Sequence, residues 1–322
     1  MRNGLYWPAG VNNLENKLKV CAVILNVVDT PGLIDCLLSL NKVLSDNLEI
    51  LVVHNGPRSP EFERAVRSAS AKISEVIFTG SNRGFAAGNN AGIKRAMESG
   101  AEYVLLLNDD TVIAPDSIDR LLAEAQKDPA TGMLGPRILY FSDPDKIWFS
   151  GAIFIPNKCA FSFPGADQYQ SSYEHFEPES TDYVTGCAVL VSRRLIEAVG
   201  LLDERFFLYW EDSDWGFRAA RAGFKSVIVP SAKIWHKVSA SSGGTDSALK
   251  AYYKTRSQLL FAALYSPQAR RQVLFNIIRD IAWLLLRSAE RERIKKSASR
   301  VLACVHYISG WTGIGPDWLT RS

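Results

Sequence analysis

"YVLLLNDDTVI", residues Tyr103–Ile113, runs from an apolar stretch straight into polar residues. Val104–Leu107 is typical of a buried strand, yet Asp109 and Asp110 follow it almost directly. Two adjacent carboxylates repel each other unless solvent, hydrogen bonds or a cation compensates. The stretch therefore predicts either a divalent-cation site at the end of a core strand or a solvated turn that caps the next helix.

The residues on both sides of this stretch alternate between strand and helix patterns. Strand-like runs occupy residues 19–26, 48–56, 75–80 and 103–110, and helical runs occupy residues 30–44, 59–69, 89–100 and 115–128. This alternation predicts an α/β fold with a mostly parallel sheet that is flanked by helices. Ligands bind at the carboxyl ends of such strands. We therefore expect one polar rim, formed by Asn26, His54–Gly56, Asn82–Gly84, Asp109 and Asp110.

The pattern changes at about Gly135. Residues 137–141, 147–155 and 182–192 are strand-like without helices between them, which predicts a more antiparallel half. Two helical runs (193–206 and 209–224) and two short strands (226–230 and 232–236) follow. From Ser247 onward the chain is predicted to be helical, and it becomes increasingly basic.

Composition narrows the classes of function. The 322 residues are 47% hydrophobic and 22% charged, which is typical of a globular protein. A net charge of +3 is too small to indicate nucleic acid as a partner. Five dispersed cysteines indicate reduced thiols and a cytoplasmic location. Residues 1–18 form a polar leader without the features of a signal peptide, and no run is long enough to span a bilayer.

The glycine-rich stretch "SNRGFAAGNNAG", Ser81–Gly92, precedes one of the helical runs. Its glycines allow close approach to the backbone, a helix N-terminus attracts anions, and Arg83 adds a positive charge. The stretch matches neither GxxxxGK[ST] nor GxGxxG. It indicates either a phosphate-binding turn or a tight turn packed against the sheet.

The acidic stretch "FFLYWEDSDWGFR", Phe206–Arg218, places Glu211, Asp212 and Asp214 among aromatic residues. Aromatic rings offer flat surfaces to sugars, and burial raises the pKa of a carboxyl group toward the range of a general base. The alternative is an ordinary acidic first turn of a helix.

A single histidine, His236, lies in "IWHKVSASSGG". A lone histidine usually has a structural role, but beside Asp110 it would be a metal ligand. The Ser/Gly-rich residues 239–244 that follow have the composition of a flexible lid.

Together these stretches resemble the inverting family 2 glycosyltransferases of the GT-A fold, and within them the bacterial rhamnosyltransferase-like branch. The resemblance covers Lys19–Arg256 and is carried by "CLLSL", "NRGFAAGNNAG", "LLLNDDT", "GCAVLVSRRLIEAVGLLDERFFLYWEDSDWGFRAARAGF" and "WH". It implies a GT-A domain at residues 19–256, with a nucleotide-binding half at 19–134 and an acceptor half at 135–256. A helical, basic C-terminal extension would occupy residues 257–322.

The resemblance also implies a role for individual residues. Asp110, the last residue of Asn108-Asp109-Asp110, matches the position that binds Mg²⁺ or Mn²⁺, and His236 can complete the coordination. Asp212 matches the general base that deprotonates the acceptor hydroxyl, and Glu211 would orient it. The residues implied for the nucleotide-sugar pocket are Asn26, His54, Arg83, Gly84, Asn89 and Asp109, and those implied for the acceptor are Trp210 and Asp214.

Two departures from the family pattern touch recognition of the nucleotide base. His54 stands where the second strand normally ends in Asp, and Val27 and Val28 replace an aromatic-Asn pair. The resemblance favours dTDP-rhamnose as the donor, with UDP-hexoses or UDP-galactofuranose as alternatives.

The implied reaction is metal-dependent inverting sugar transfer to a cell-surface polysaccharide or its lipid-linked precursor. A nucleotidyltransferase and a non-catalytic sugar-nucleotide binder are the alternatives from other classes. The C-terminal extension combines an apolar run at 273–286 with a basic run at 287–300. It predicts either an ordinary packing helix or peripheral docking on the cytoplasmic face of an anionic membrane.

Overall fold

The computed structural model of the protein describes residues 18–27, 31–45, 47–173, 175–238, 247–287 and 292–319. Its first half confirms the predicted alternation of strands and helices. The elements there are β1 (Val20–Asn26), α1 (Pro31–Asn41), β2 (Leu48–His54), α2 (Pro60–Ala69), β3 (Ile73–Phe78), α3 (Gly84–Glu98), β4 (Tyr103–Asn108), β5 (Thr111–Ile113) and α4 (Ser117–Ala125). The predicted leader lies outside the described residues, apart from Leu18.

The strands of this half form the predicted parallel sheet. β1 pairs in parallel with β2 on one side and with β4 on the other, and β2 pairs in parallel with β3. All seven residues of β1 are buried, as expected for an apolar run covered on both faces. The register aligns Asn26 with His54 at the carboxyl ends of β1 and β2. The sheet thus brings the polar strand ends to one rim.

The second half is more antiparallel, as predicted, although it also contains one parallel pairing. It contains β6 (Thr131–Tyr140), β7 (Ile147–Phe149), β8 (Ile153–Ile155), β9 (Ala160–Ser162), β10 (Glu179–Ser180), β11 (Ala188–Ser192), α5 (Arg193–Val199), α6 (Glu211–Arg221) and β12 (Lys225–His236). β11 pairs antiparallel with β4 and β6, whereas β12 pairs in parallel with β6. In the described residues the main sheet has ten strands, with the order β10-β12-β6-β11-β4-β1-β2-β3 and with β5 and β7 at the sides.

β12 is one long strand where the sequence predicts two short ones. Its register with β6 shifts between Val229 and Lys233, around Pro230. Proline has no N–H to donate, so it interrupts the ladder without ending the strand. The strand continues to His236 and delivers this residue to the rim.

α3 begins at Gly84, five residues before the predicted helix. Gly84 has a φ of +88°, and a Cβ at this position would lie 2.5 Å from the backbone oxygen of Phe207. The amide of Phe85 donates to the same oxygen at 2.7 Å. The close approach that this glycine permits is therefore an approach to protein backbone.

Three helices form the C-terminal part: α7 (Ala248–Tyr265), α8 (Arg270–Arg287) and α9 (Arg293–Ser309). The predicted boundary between residues 256 and 257 falls within α7. Phe261 of α7 and Val273 of α8 belong to one apolar cluster with Phe206, so these helices pack directly on the second half of the sheet domain. Among the described residues, no helix is both long and apolar enough to cross a membrane.

Candidate functional site

The two adjacent aspartates lie in the turn between β4 and β5. β5 pairs antiparallel with the end of β12, which aligns Thr111 with His236, and the Lys237 amide donates to the Asp110 carbonyl at 2.9 Å. This backbone pairing places His236 Nε2 at 3.1 Å from Asp110 Oδ1. Both side chains are buried. The sequence-predicted pair of metal ligands is thus brought together by the sheet itself.

Asp109 points along the rim toward β1 and β2. Asn26 Nδ2 donates to Asp109 Oδ2 at 2.7 Å, and Asn26 Oδ1 lies 2.9 Å from His54 Nδ1. The His54 ring packs on Phe62, with 4.3 Å between ring centroids. Three of the residues predicted for the nucleotide-sugar pocket therefore form one chain of hydrogen-bonding contacts across neighbouring strands.

The Asp110–His236 pair has the donor set of a divalent-cation site. Burial lowers the pKa of His236, but Cys187 and Asp110 raise it, and the balance is a pKa of about 10. At 3.1 Å the imidazolium and the carboxylate form a hydrogen-bonded ion pair, and a cation held by both residues would displace the imidazole proton, because only neutral imidazole is a metal ligand. No group of three or more metal-ligating side chains occurs among the described residues. Such sites commonly use substrate phosphates and water for the remaining positions.

A second acidic centre lies at the start of α6. Tyr209 and Trp210, which precede the helix, both have left-handed backbone, with φ of +67° and +74°. Such backbone is costly for residues with side chains and is typical of functional sites. It brings Asp212 into the hydrogen-bonding range of Gly186, whose amide donates to Oδ2 at 3.0 Å. Ser213 donates to the other oxygen from its amide at 2.7 Å and from its hydroxyl at 3.3 Å.

The environment of Asp212 adjusts its basicity in two directions. Burial raises the pKa of the Asp212 carboxyl, and the hydrogen bonds from Gly186 and Ser213 offset part of that rise. The result is a carboxylate that is held in place and more basic than usual. Such a group can accept a proton from a hydroxyl.

Asp212 lines an aromatic cavity of about 550 Å³. Aromatic walls include Trp148, Phe161, Tyr183, Tyr209 and Trp210, and polar groups on the wall include Asp212, Lys254 and Gln258. The Trp148 ring also stands edge-on to His236, with 4.5 Å between centroids. The cavity therefore adjoins the Asp110–His236 pair, and its size and lining suit a sugar ring.

Glu211 is almost fully buried beside Asp212. It is 4% exposed, and no described group hydrogen-bonds its Oε2 atom. Burial, and after it the charge of Asp212, raises the pKa of Glu211 well above its usual range. Glu211 therefore holds its proton at a pH at which an exposed glutamate is ionised.

One short turn connects the two acidic centres. Gly186 donates to Asp212, and the next residue, Cys187, contacts His236. The carbonyl of Cys187 also accepts from the Asn108 amide at 2.9 Å, beside the aspartate turn. From the sequence, this segment is predicted to be part of a strand, and neither Gly186 nor Cys187 is predicted to be a site residue. The feature of the sequence that could have indicated this turn is the pair Gly186-Cys187, which begins the motif "GCAVLVS…".

Asp214 does not reach the cavity wall. It is 2% exposed, pairs with Arg218 at 2.8 Å and accepts from Tyr265 Oη at 2.6 Å. Arg218 in turn donates to the carbonyls of Val199 and Leu201. The predicted contact with the acceptor is thus replaced by a structural role, since Asp214 anchors α6 to the end of α5.

The glycine-rich stretch is only partly open to a ligand. Gly84 packs against Phe207, and the buried Asn89 donates to the Phe85 carbonyl of its own helix at 3.0 Å, so their place in the nucleotide-sugar pocket stays a prediction. Arg83 is half-exposed, lies 4.0 Å from Glu204 and lines a polar pocket of about 420 Å³. Of the three residues predicted from this stretch, Arg83 has the most exposed side chain.

Several residues of the cavity wall are not predicted from the sequence, among them Trp148 and Lys254. Trp148 lies in a strand-like run and Lys254 in a helical one, and neither belongs to a motif. Only the fold brings them beside Asp212. The predicted lid at residues 239–244 lies outside the described residues.

Comparisons with known proteins agree with this geometry. The sequence model described as glycosyl transferase family 2 matches residues 20–200. The N-acetylglucosaminyl-diphospho-decaprenol L-rhamnosyltransferase of Mycobacterium tuberculosis is 28% identical over 297 residues, which cover 85% of this chain and 94% of that protein. The dTDP-rhamnosyl transferase RfbF of Shigella flexneri is 25% identical over 286 residues, which cover 86% of this chain and 91% of that protein.

Solved structures support the GT-A fold. The structure of S. aureus TarS residues 1–349 in complex with UDP-GlcNAc matches with a TM-score of 0.57 at 13% identity. The match covers 94% of this chain and 83% of the TarS chain. A Pyrobaculum calidifontis mannosyltransferase, in complex with GDP-Man and Mn²⁺, gives 0.55 at 13% identity, with coverage of 91% and 88%. Because the family match spans more than half of the chain, we conclude that the protein is a glycosyltransferase that belongs to glycosyl transferase family 2.

Proposed function

We propose that the protein is a metal-dependent inverting glycosyltransferase that moves a sugar from a nucleotide-sugar to a hydroxyl of a glycan or lipid-linked acceptor. One observation carries the proposal. The Asp110–His236 pair and Asp212 lie on either side of the turn containing Gly186 and Cys187, beside one aromatic cavity. Inverting transfer needs this separation, because the base and the leaving diphosphate act on opposite faces of the sugar.

Asp110 and His236 are the residues that would hold Mg²⁺ or Mn²⁺. Such an ion neutralises the charge that develops on the diphosphate as it leaves the sugar. Asp109, Asn26 and His54 would contact the nucleotide or its ribose, and the positive charge of Arg83 would face the diphosphate. The Mn²⁺ in two structural neighbours, GalNAc-T7 and the Pyrobaculum mannosyltransferase, supports the choice of metal.

Asp212 would act as the general base. It takes the proton of the acceptor hydroxyl while the hydroxyl oxygen attacks the anomeric carbon and the carbon–oxygen bond to the diphosphate breaks. Hydrogen bonds from Gly186 and Ser213 hold the carboxylate in one orientation. Glu211, which keeps its proton, would orient Asp212 or hold the acceptor, and Trp210 would offer its ring to the acceptor sugar.

The donor proposed first is dTDP-rhamnose, because two relatives are named as rhamnosyltransferases and one of them as a dTDP-rhamnosyl transferase. UDP-galactofuranose is an alternative, since the galactofuranosyltransferase GlfT2 of M. tuberculosis is 25% identical over 270 residues. UDP-hexoses are a further alternative. The diphospho-decaprenol acceptor in the name of the first relative favours a lipid-linked acceptor and contact with the cytoplasmic face of a membrane.

Calorimetry with a panel of nucleotide-sugars, run with Mn²⁺ and with EDTA, tests this proposal. We expect one donor to bind in a manganese-dependent way, and Asp110→Asn to remove that dependence. Asp212→Asn should retain donor binding and lose about 10²- to 10⁴-fold in turnover, the usual contribution of a general base. If Asp212→Asn leaves donor hydrolysis and transfer unchanged, Asp212 is not the base. If no nucleotide-sugar binds under either condition, the proposal is wrong.

A further inference from the structure

α9 exposes an apolar stripe although several of its polar residues are buried. Lys296, Ser297 and Ser299 are buried against the protein, whereas an apolar stripe faces outward. The stripe consists of Ile294, Val301, Val305 and Ile308, which are between 51% and 80% exposed. Their spacing puts them on one side of the helix. A helix that only packs on its own domain shows the opposite arrangement.

α8 carries a second apolar stripe in addition to the one that it buries. Val273, Ile277 and Leu284 are buried. Another set is between 41% and 81% exposed and follows its own helical spacing: Leu274, Phe275, Ile278, Leu285 and Leu286. Packing on α7 and α9 therefore leaves this second stripe of α8 uncovered.

The two stripes belong to neighbouring helices, and together we call them the C-terminal apolar face. α8 and α9 pack against each other, and Tyr307 of α9 lies against the cluster that contains Val273 of α8. Of the 22 large hydrophobic residues that are exposed among the described residues, 13 lie between Leu274 and Trp318. Such a concentration exceeds the scattered apolar exposure of an ordinary surface.

Charge identifies the partner of this face. Without the buried Lys296, residues 270–300 contain eight Lys or Arg and three Asp or Glu, a net charge of +5, whereas the whole chain carries +3. A symmetric dimer through this face would bring two strongly positive surfaces together. Anionic lipid headgroups attract the same charges, and the acyl region accepts the apolar side chains.

We propose that the C-terminal apolar face docks the protein on an anionic membrane, with α8 and α9 lying in the plane of the interface. Trp283 and Trp311 are both exposed beside the stripes, and tryptophan favours the headgroup level. The cluster under α8 also includes Trp210, which lines the cavity. Docking would hold the cavity next to the membrane. The role of this docking in catalysis rests on the proposed lipid-linked acceptor, whereas the apolar and basic character of the face does not depend on it.

Co-sedimentation of the full chain with lipid vesicles tests the docking. The vesicles are phosphatidylcholine alone or equal parts of phosphatidylcholine and phosphatidylglycerol, each at low and high salt. We expect binding to the anionic vesicles that weakens with salt. The double variant Ile278→Asn/Ile308→Asn should weaken it at least about tenfold, because two exposed aliphatic side chains no longer enter the lipid. The control is Leu44→Asn, since Leu44 and Ile278 are both 65% exposed.

The results separate this inference from the transferase proposal. Absence of binding to either vesicle, or equal binding by the double variant and the control, overturns the docking. If sedimentation equilibrium shows a dimer that the double variant dissociates, with no vesicle binding, the face is an interface between two copies instead. Calorimetric donor binding needs no lipid, so it reports on the transferase site whichever way the vesicles behave. A melting temperature equal to that of the control shows that the double variant is folded.

Discussion

His236 Nε2 lies 3.1 Å from Asp110 Oδ1, and the pairing of β5 with β12 fixes this distance. If both side chains hold the metal, His236→Gln removes one ligand and leaves the carboxylate. We expect the gain in donor affinity on adding Mn²⁺ to fall at least about tenfold, or ~1.4 kcal/mol. Calorimetry with and without Mn²⁺ measures this gain directly.

The matched control is His175→Gln, because His175 is exposed and pairs with Glu179 away from the rim. Its manganese response should equal that of the parent protein. An unchanged response in His236→Gln as well would show that the Asp110–His236 contact is purely structural.

Ser213 offers a way to shift the basicity of Asp212 without removing it. Its hydroxyl donates to Asp212 Oδ1 at 3.3 Å, which favours the charged carboxylate and lowers the pKa of Asp212. Ser213→Ala should therefore raise that pKa. Because the base works when deprotonated, the acidic limb of the kcat profile should move to higher pH, while the plateau above it changes little. Steady-state rates across the pH range measure the shift.

Ser68→Ala, on the exposed side of α2, is the control for this profile, since the Ser68 hydroxyl donates to the Arg64 carbonyl of its own helix. If the acidic limb of Ser213→Ala stays where it is in the control, Asp212 does not set the limb. The general-base role would then need another residue.

Much of this site could be predicted from the sequence, because several of its residues lie at the ends of strands. Asn26, His54 and Asp109 each stand at or directly after the carboxyl end of a parallel strand, and parallel pairing brings such ends together. Regular alternation of strand and helix was enough to predict that geometry. The same pattern predicted the position of Asp110.

The remainder depends on non-local packing that no local pattern records. β5 is a strand of three residues, and its pairing with β12 joins distant parts of the chain. Trp148 reaches His236 only because β7 pairs with β6. The burial of Asp214 depends on Tyr265, a residue of the C-terminal helices. Acidity and aromatic flanks in the sequence do not distinguish such an anchor from a ligand contact.

Because of Glu211, the free energy of unfolding should fall as pH rises. Burial raises its folded-state pKa above the ordinary value of 4.5, so the folded protein keeps a proton that the unfolded chain has already lost. Stability from this group is therefore full below pH 4.5 and declines above it. Glu211→Gln cannot ionise, and we expect it to be more stable than the parent by about 1–3 kcal/mol at alkaline pH. Thermal unfolding at acidic and alkaline pH compares the two.

The control is Glu98→Gln, whose parent side chain is 69% exposed. It should show no pH-dependent difference from the parent protein. A Glu211→Gln variant that is less stable at alkaline pH would mean that the carboxylate is ionised and paired in the fold.

Asp214→Asn tests the structural role of the buried ion pair. The substitution leaves the Arg218 guanidinium, which is 25% exposed, without its carboxylate partner, and loss of this charge-assisted hydrogen bond should cost about 1–3 kcal/mol. Chemical denaturation should show this loss, while the KM for the acceptor stays within about twofold of the parent value. Trp210→Leu is the contrast, because Trp210 lines the cavity and its loss should raise the acceptor KM. A raised acceptor KM in Asp214→Asn with unchanged stability would restore the contact predicted from sequence.

Gly84 and Gly100 separate the cost of backbone conformation from the cost of close packing. Their φ angles are +88° and +83°, but a Cβ at Gly84 would lie 2.5 Å from the Phe207 oxygen, whereas at Gly100 nothing lies within 4 Å. Both alanine variants should lose about 1–2 kcal/mol from the left-handed backbone. Gly84→Ala should lose roughly 1–3 kcal/mol more, since Phe207 must move.

That movement has a functional consequence which Gly100→Ala lacks. Phe207 begins the segment that leads through Tyr209 and Trp210 to Asp212, and its carbonyl accepts from the Phe85 amide at 2.7 Å. Displacement of Phe207 therefore displaces the proposed base, and misplacement by about 1 Å can cost on the order of 10²-fold in rate. We expect Gly84→Ala to lose turnover at temperatures where it is fully folded, and Gly100→Ala to keep it. Equal turnover in the two folded variants would show that this contact stabilises the fold without positioning Asp212.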